Sequence, residues 1–565
     1  MEPLKKRWQV AARISPEADD NLSQYSPVLR QILFNRGYAS APEAERFLQA
    51  GDSNNGETET MMGINAAVDR IQSAIRNNEK IAVYGDYDTD GVTSTALSVQ
   101  TLQALGADVR PYIPDRFAEG YGLNINALDT LKGEGIRLII TVDCGIRANE
   151  EAEHARSIGL DLIITDHHSV GEELPWATVL INAKQPGDEY PDKNLAGVGT
   201  IYQFAKALIS QADSPDINDA QLLDLVALGT VADLVPLVGE NRALVKQGIL
   251  QIRRQQRQGL LSLIGVTGLK PQNIKASHIG FVLGPRLNAA GRLGSAMDAY
   301  ELLAAKDVSQ AGRLAQELDN TNRKRQTITQ EVMEASEAMA LSEAPDGFIL
   351  MASDAKFNLG IVGLAASRLV DRYYRPAIVA HKGEEVTRGS CRSISEFHIT
   401  EALEQCADLL DHFGGHAAAA GFTVKNQNWP ALVEKLESIA EKQLGQEELQ
   451  PTLNAEAELE LSSLTPQLLE QLDWLEPTGY GNPEPMFVTR DLQVRRSKTV
   501  GQEGLHLKMT VTDGRLTFDT IAFRQGYWQA DMPTRVDLLY SFELNEFNGR
   551  KSLQLNVREL KPAGA

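Results

Sequence analysis

Cysteine is almost missing from this chain. The three present (Cys144, Cys391 and Cys406) lack metal-type spacing, which excludes a thiolate metal knuckle and a disulfide framework and points to a reducing, cytoplasmic setting. Long apolar runs are missing as well: nothing approaches the roughly 18 to 20 consecutive apolar residues of a membrane span. The amino-terminal MEPLKKRWQVAARISPE has basic residues but no apolar core or small-residue cleavage site, so no signal peptide is read there. Positive charge is scarce. Lys and Arg number 55 against 76 Asp and Glu, a formal net charge of -21, so the mean field repels phosphate and argues against a generally sticky nucleic-acid binder. A basic channel on an acidic body survives that argument, because screening leaves the local field in control at short range. An enzyme holding divalent cations would also carry excess carboxylates.

What is present divides by texture. The 565 residues exceed one hydrophobic core and suggest three or four domains. From about 61 to 299, apolar runs such as KIAVYGD, IRLIITVDCG, LDLIITDHH and ATVLINAK alternate with helical stretches. They lack clean alternation, as strands buried on both faces do, which predicts an α/β domain with a parallel sheet. Residues 300–345, rich in Ala, Glu, Leu, Arg and Gln, predict long connecting helices. A smaller α/β pattern occupies 346–445, and 446–565 reads as short strands with turn signals, a small antiparallel barrel. Residues 1–60 read as a helical lead-in whose GDSNNGETE stretch is a flexible connection.

In open α/β sheets ligands sit beyond the carboxyl ends of the strands. IAVYG is followed by Asp86, Asp88 and Asp90, LIITV by Asp143, LIIT by Asp166, His167 and His168, and a further apolar stretch by Asp233. Carboxylates gathered in one cleft raise each other's pKa unless a cation is present. A mixed carboxylate and histidine set suits Mn²⁺ or Mg²⁺ rather than a thiophilic metal. Two such ions a few Å apart can hold a phosphate, create a hydroxide nucleophile and stabilise a leaving oxygen. Taken singly, each piece has a plainer reading: the Asp run as a loop, TVDCG as a strand-ending turn, Asp233 as a helix cap, the histidines as satisfied polar residues.

Together, GDYDTDG, TVDCG, TDHH and GTVADLVPL resemble the four motifs of the DHH phosphoesterases. PDRFAEGYGL, LAGVGT, GPRLNAAGRL, RGSCRSI, FGGHAAAAGF and LEPTGYGNPEPMF resemble, in order and spacing, the RecJ branch of that family, single-strand-specific 5′ to 3′ exonucleases. The resemblance implies a parallel-sheet DHH catalytic domain, a smaller α/β DHHA1 domain and a carboxyl-terminal OB-fold that binds nucleic acid. It implies Mn²⁺ or Mg²⁺ as cofactor, one or two ions, and single-stranded DNA as substrate. It further implies a role in recombination and repair, with single-strand-binding protein and a helicase as partners, no membrane association and a monomer. A phosphodiesterase for very short oligonucleotides and a non-catalytic DNA-binding scaffold are the rivals. The terminal barrel argues against the first and the intact Asp and His set against the second.

By the same resemblance Asp88, Asp90, Asp143, His167 and Asp233 are metal ligands, Asp86 is a near ligand or supporting acid, and Asp143 bridges two ions. His168 faces the scissile phosphate, and Asp166 orients a histidine from behind. Arg286, Asn288, Arg292, Arg388, Ser390, Arg392, Gly414, Gly415 and His416 are expected to contact phosphate. For the glycine pair the plainer reading is a turn before an Ala-rich helix. Arg495, Arg496, Lys498, Lys508, Phe523, Arg524, Phe547 and Arg550 are candidates for a nucleic-acid face on the barrel. Two positions depart from the pattern. Tyr84 stands where some DHH relatives have a histidine, which lowers the expected coordination, and Phe357-Asn358 stand where many RecJ proteins have Trp-His.

Overall fold

The computed structural model describes residues 4–50, 58–213, 215–446, 448–547 and 549–564. The chain separates into two compact units, one holding Trp8–Asn288, Ala296–Ala315 and Asn454–Ala565, the other mainly Gln316–Leu453. The expected flexible connection at GDSNNGETE lies, over residues 51–57, outside the described residues.

The first unit is built on a five-stranded sheet in the order Val109–Tyr112, Lys80–Gly85, Ile136–Val142, Asp161–Thr165, Val179–Ile181. Every pairing is parallel. Ile81 to Val83, Leu138 to Ile140 and Leu162 to Ile164 are buried without interruption, because helices cover both faces. Leu128, Leu131, Ala152 and Ala155 of Ile125–Gly133 and Asn149–Ser157 pack on one face, and Thr89–Ala104 and Gly197–Ser210 lie on the other. The sheet starts at Lys80–Gly85, moves to one neighbour and then crosses to the opposite one. The carboxyl ends of Lys80–Gly85 and Ile136–Val142 therefore flank the point where strand order reverses, where a crevice is unavoidable.

Two further helices complete this body. Leu223–Ala232 is buried along nearly its whole length, and Gly239–Arg253 packs against it. Arg242, from the latter, is only 1% exposed. It donates to five carbonyls, those of Phe47, Trp474, Leu475, Glu476 and Pro477, at 2.7–3.0 Å. One guanidinium thus ties this body to the lead-in helices and to the segment that enters the barrel.

The barrel strands run Phe487–Val500, His506–Thr512, Thr517–Ala522, Arg550–Pro562, Arg535–Phe547, and the last pairs back to the first. Pairings are antiparallel except that Thr517–Ala522 runs parallel to Arg550–Pro562. Leu29, Ile32, Leu33, Phe47 and Leu48 of the lead-in helices share one core with Leu492, Met509, Val536 and Leu555 of the barrel.

In the second unit the sheet order is Leu410–His416, Ala419–Lys425, Val386–Arg392, Ala377–Lys382, Leu350–Asp354. Helix Val362–Tyr373 and part of the 36-residue helix Val308–Glu343 cover one face, and Trp429–Leu444 covers the other. Ala417 and Ala418 are therefore the hairpin turn between these two strands, and Ala419–Lys425 is strand. The Ala-rich helix of the plainer reading does not form, because alternate burial of Ala420, Phe422 and Val424 in the sheet core wins over the helix propensity of alanine.

Candidate metal centre

At the reversal point the first strand runs directly into a helix. Asp88 is the N-cap of Thr89–Ala104, its Oδ1 accepting from the N–H groups of Asp90 (2.9 Å) and Gly91 (3.1 Å). The Thr89 N–H is held by Oδ1 of Asn288 at 2.8 Å. Asp90, fully buried in the first turn, receives two N–H groups from the start of helix Gly197–Ser210: Gly197 to Oδ2 at 2.7 Å and Val198 to Oδ1 at 2.9 Å. Two glycines make room for this packing. A side chain at Gly197 would come within 2.8 Å of Asp143, and one at Gly229 within 2.7 Å of Asp90 Oδ1.

Asp143 leaves the third strand with φ 62°, a left-handed conformation that costs a non-glycine residue about 1 kcal/mol or more. Its Oδ1 lies 3.1 Å from Nε2 of His167, which is also 3.6 Å from Asp233 Oδ2 and 4.0 Å from Asp90 Oδ2. Asp233 arrives as the C-cap of Leu223–Ala232. Asp86, Asp88 and Asp143 form an adjoining group on the other side.

Asp166 has a different position. Its Oδ1 accepts from the His167 N–H (2.7 Å), the His168 N–H (3.1 Å) and His168 Nδ1 (2.7 Å), and its Oδ2 from the Ile146 N–H (3.0 Å). That carboxylate is spent on holding the histidine turn. With Nδ1 engaged, the half-exposed His168 presents its Nε2 edge outward. Lys184 Nζ braces the same turn from beyond the last strand, donating to the His167 carbonyl at 2.6 Å.

The electrostatics fit a cation. Burial and the neighbouring carboxylates push Asp86 and Asp143 well up, Asp90 to about 7 and Asp233 to about 9. Burial pushes His167 down to about 3, so its imidazole is neutral and able to ligate. At His168, burial opposes the charged form but the Asp166 hydrogen bond outweighs it and raises the pKa. Oδ1 of Asp86, Oδ1 of Asp143 and Nε2 of His167 are buried without a hydrogen-bond partner. Desolvated acceptors of this kind, two of them 3.1 Å apart, are stabilised by a shared divalent ion. The donor set of carboxylates with one imidazole fits Mn²⁺ or Mg²⁺.

The chain is similar in sequence and fold to proteins of known type. Family models match over residues 80–230 (DHH family, N-terminal domain), 346–442 (DHHA1 domain) and 455–559 (RecJ OB domain). The single-stranded-DNA-specific exonuclease RecJ of Bacillus subtilis (strain 168) is 39% identical over 561 residues, 98% of this chain and 71% of that protein. The chain belongs to the RecJ family. The crystal structure of RecJ in complex with Mn²⁺ from Thermus thermophilus superposes with a TM-score of 0.84 at 29% identity, covering 99% of this chain and 80% of that one. The Mg²⁺ complex of RecJ from the same organism gives 0.77 at 28% identity, with 99% and 79% covered.

Within this RecJ-family chain the departures acquire physical meaning. Tyr84 is fully buried, its ring stacked on Tyr112 at 5.0 Å and its hydroxyl donating to the Gly122 carbonyl at 2.9 Å. It is a core residue, committed away from the carboxylates. Asn358 Oδ1 accepts from the Gly360 N–H at 2.8 Å and shapes a backbone turn.

The expected phosphate contacts fall on both units. Arg286 and Arg292 lie on helix Gly284–Leu293, their Nη1 atoms donating to the carbonyls of Val282 (2.7 Å) and Gly360 (3.1 Å). In the second unit Arg388, Ser390 and Arg392 alternate with buried Thr387, Gly389 and Cys391, so they share one sheet face. His416 and Gly414 come to the same face through Ala419 and Gly421. Arg392 Nη1 donates to Ser390 Oγ (3.2 Å), both beside the first turn of Val362–Tyr373. Gly415, at φ 152°, lies so close to Ala419 that a Cβ would meet its carbonyl at 2.3 Å. On the barrel Arg495, Arg496, Phe523 and Arg524 are exposed, whereas the side chains of Phe547 and Arg550 lie outside the described residues.

Sequence reasoning missed Lys184 and the group Tyr87, Arg116 and Tyr121. Arg116 sits 4.4 Å over the Tyr87 ring, and Tyr121 meets His168 edge to face at 6.3 Å. Lys184 follows the last strand of the sheet, so the strand-end rule that found the acids would have found it too.

Proposed function

We propose that this chain is a metal-dependent exonuclease that degrades single-stranded DNA from the 5′ end to 5′-mononucleotides, in recombination and repair. The observation that carries the reading is the buried pair of unpartnered acceptors, Asp143 Oδ1 and His167 Nε2, 3.1 Å apart among four further acids. Asp88, Asp90, Asp143, His167 and Asp233, with Asp86 in support, hold Mn²⁺ or Mg²⁺. When bound, the metal supplies Lewis-acid stabilisation of phosphate charge and acidifies a water. Helix N-termini fix the angles of Asp88 and Asp90 before substrate arrives, so little reorganisation is needed. His168, whose pKa the Asp166 hydrogen bond raises against the effect of burial, donates from Nε2 toward a phosphate oxygen. Arg286, Asn288, Arg292, Arg388, Ser390, Arg392, Gly414, Gly415 and His416 serve the phosphates of the strand, and the barrel also binds the DNA.

The domain division that goes with this reading is lead-in 1–60, DHH 61–299, connecting helices 300–345, DHHA1 346–445 and OB-fold 446–565. The enzyme acts as a cytoplasmic monomer with single-strand-binding protein and a helicase as partners. Among the described residues no helix is long and apolar enough to cross a membrane. The test is a single strand labelled at one end or the other, with Mn²⁺, Mg²⁺ or chelator. Metal-dependent release of the 5′ label as mononucleotide supports the reading. Equal digestion of blunt duplex, or release only from the 3′ end, overturns it.

A further inference from the structure

The large apolar side chains that remain in water are not scattered. Phe281 is 85% exposed, Leu234 69% and Tyr480 63%, three of the four most exposed large apolar residues among those described. Isolated exposed apolar residues need no explanation, but a group at the edge of a charged site does. Each is displayed by an unusual piece of backbone. Leu234 directly follows Asp233 and has φ 60°, a left-handed conformation that turns the chain out of the helix end. Phe281 sits in Ile279–Leu283, a π-helical stretch, a widened turn of the kind found at functional sites. Tyr480 stands in the Gly479–Asn482 turn just before the barrel.

These three segments are anchored to one another. The Tyr480 carbonyl accepts the Leu237 N–H at 2.7 Å, and a Cβ on Gly481 would lie 2.9 Å from Pro236, so the turn lies directly on the chain that leaves Asp233. The π-helical stretch packs along the last turn of the Asp233 helix, where a Cβ on Gly284 would be 3.4 Å from Ala232. Lys275, at the start of the same segment, reaches Glu476 at 2.9 Å, just ahead of Tyr480. The strip therefore begins at an acid of the metal cluster and ends where the barrel begins.

We propose that Leu234, Phe281 and Tyr480 form a stacking strip that seats consecutive unpaired nucleobases of the strand between the metal centre and the barrel. The inference rests on the exonuclease reading above. Apolar and aromatic faces accept any base, so such a strip needs no sequence, but it requires bases freed from pairing. It would thereby contribute to the preference for single strands.

The test uses the full chain with chelator present, so that DNA binds without being cut, and single strands carrying 2-aminopurine at successive positions from the 5′ end. Phe281→Ala and Tyr480→Ala are expected to weaken binding roughly tenfold each, within the range that single stacked bases show. Each is expected to restore fluorescence at one or two adjacent positions, and Phe281→Trp to keep the quench. Val308→Ala removes an equally exposed apolar residue (66%) elsewhere and is the control. Unchanged affinity and quenching in both alanine variants, or an equal loss in Val308→Ala, would overturn the strip. Wild-type release of mononucleotides from the same strands in Mn²⁺ tests the underlying reading separately. Intact release with no stacking signal removes the strip alone.

Discussion

Asp166→Asn is the substitution that separates a positioning carboxylate from a ligand. Four donors converge on this carboxylate, three on Oδ1 and one, the Ile146 N–H, on Oδ2. An asparagine whose oxygen takes the Oδ1 place keeps three neutral bonds but sets its NH₂ against the Ile146 N–H. An unsatisfied buried donor costs about 1–3 kcal/mol, and the lost charge assistance about 1 kcal/mol more, so the expected destabilisation is about 3 kcal/mol. The pH dependence follows from two opposed shifts. Burial tends to raise Asp166, yet the His168 hydrogen bond brings it below its ordinary value, so its contribution is present above about pH 4 and lost as pH falls through the folded value. His168 is raised, so its contribution is complete below about pH 6.5 and lost as pH rises through the folded value. The penalty should be greatest between about pH 4 and 6.5 and smaller at pH 8.5. Thermal melts of metal-free protein at pH 5.5 and 8.5 measure it, and a Mn²⁺ titration should show affinity or turnover reduced about 10- to 100-fold. A variant that melts like the wild type at both pH values and binds Mn²⁺ as tightly would refute this account of the histidine turn.

Other consequences concern the rest of the molecule. Without metal, the raised carboxylates of Asp90 and Asp233 stabilise the fold most when protonated. Melting temperature should therefore fall as pH rises from about 4 through their values of about 7 and 9, and added Mn²⁺ should reverse the fall. Arg242→Met leaves five carbonyls without their donor and should cost about 4 kcal/mol or more; a barrel that stays as protected from proteolysis as in the wild type would count against the pin. Arg392→Ala should weaken binding of single strands of any sequence and reduce the salt slope of binding by about 1, whereas an unchanged slope would remove Arg392 from the phosphate path.

Strand ends were the informative positions in the sequence. Uninterrupted apolar runs announced a parallel sheet, and the acids after IAVYG, LIITV and LIIT fall together because parallel strands deliver their carboxyl ends to one edge. The resemblance separated Asp166 from the ligands, and four hydrogen bonds converge on its carboxylate. Other features were hidden because they depend on contacts far apart in the chain. Nothing in LFNRGYAS tells that the lead-in helices share a core with the barrel, nor in ENRALVK that Arg242 will be capped by carbonyls more than 200 residues away. For FGGHAAAAGF the plainer reading, a turn before an Ala-rich helix, fails because alanine propensity is local, whereas the pairing of Ala419–Lys425 with Val386–Arg392 is not. Tyr84 looked like a lost ligand, and only its ring packing against Tyr112 shows it to be core.

The most direct test of the central claim joins metal binding to cleavage in one comparison: Mn²⁺ titration and end-labelled single-strand digestion of the wild type against Asp143→Ala with His167→Ala. The account predicts that the wild type binds the ion and releases 5′-mononucleotides. The double variant should do neither, while its metal-free melting temperature is unchanged or higher because like charges have been thinned. Wild-type cleavage by a double variant that no longer binds Mn²⁺ would contradict it.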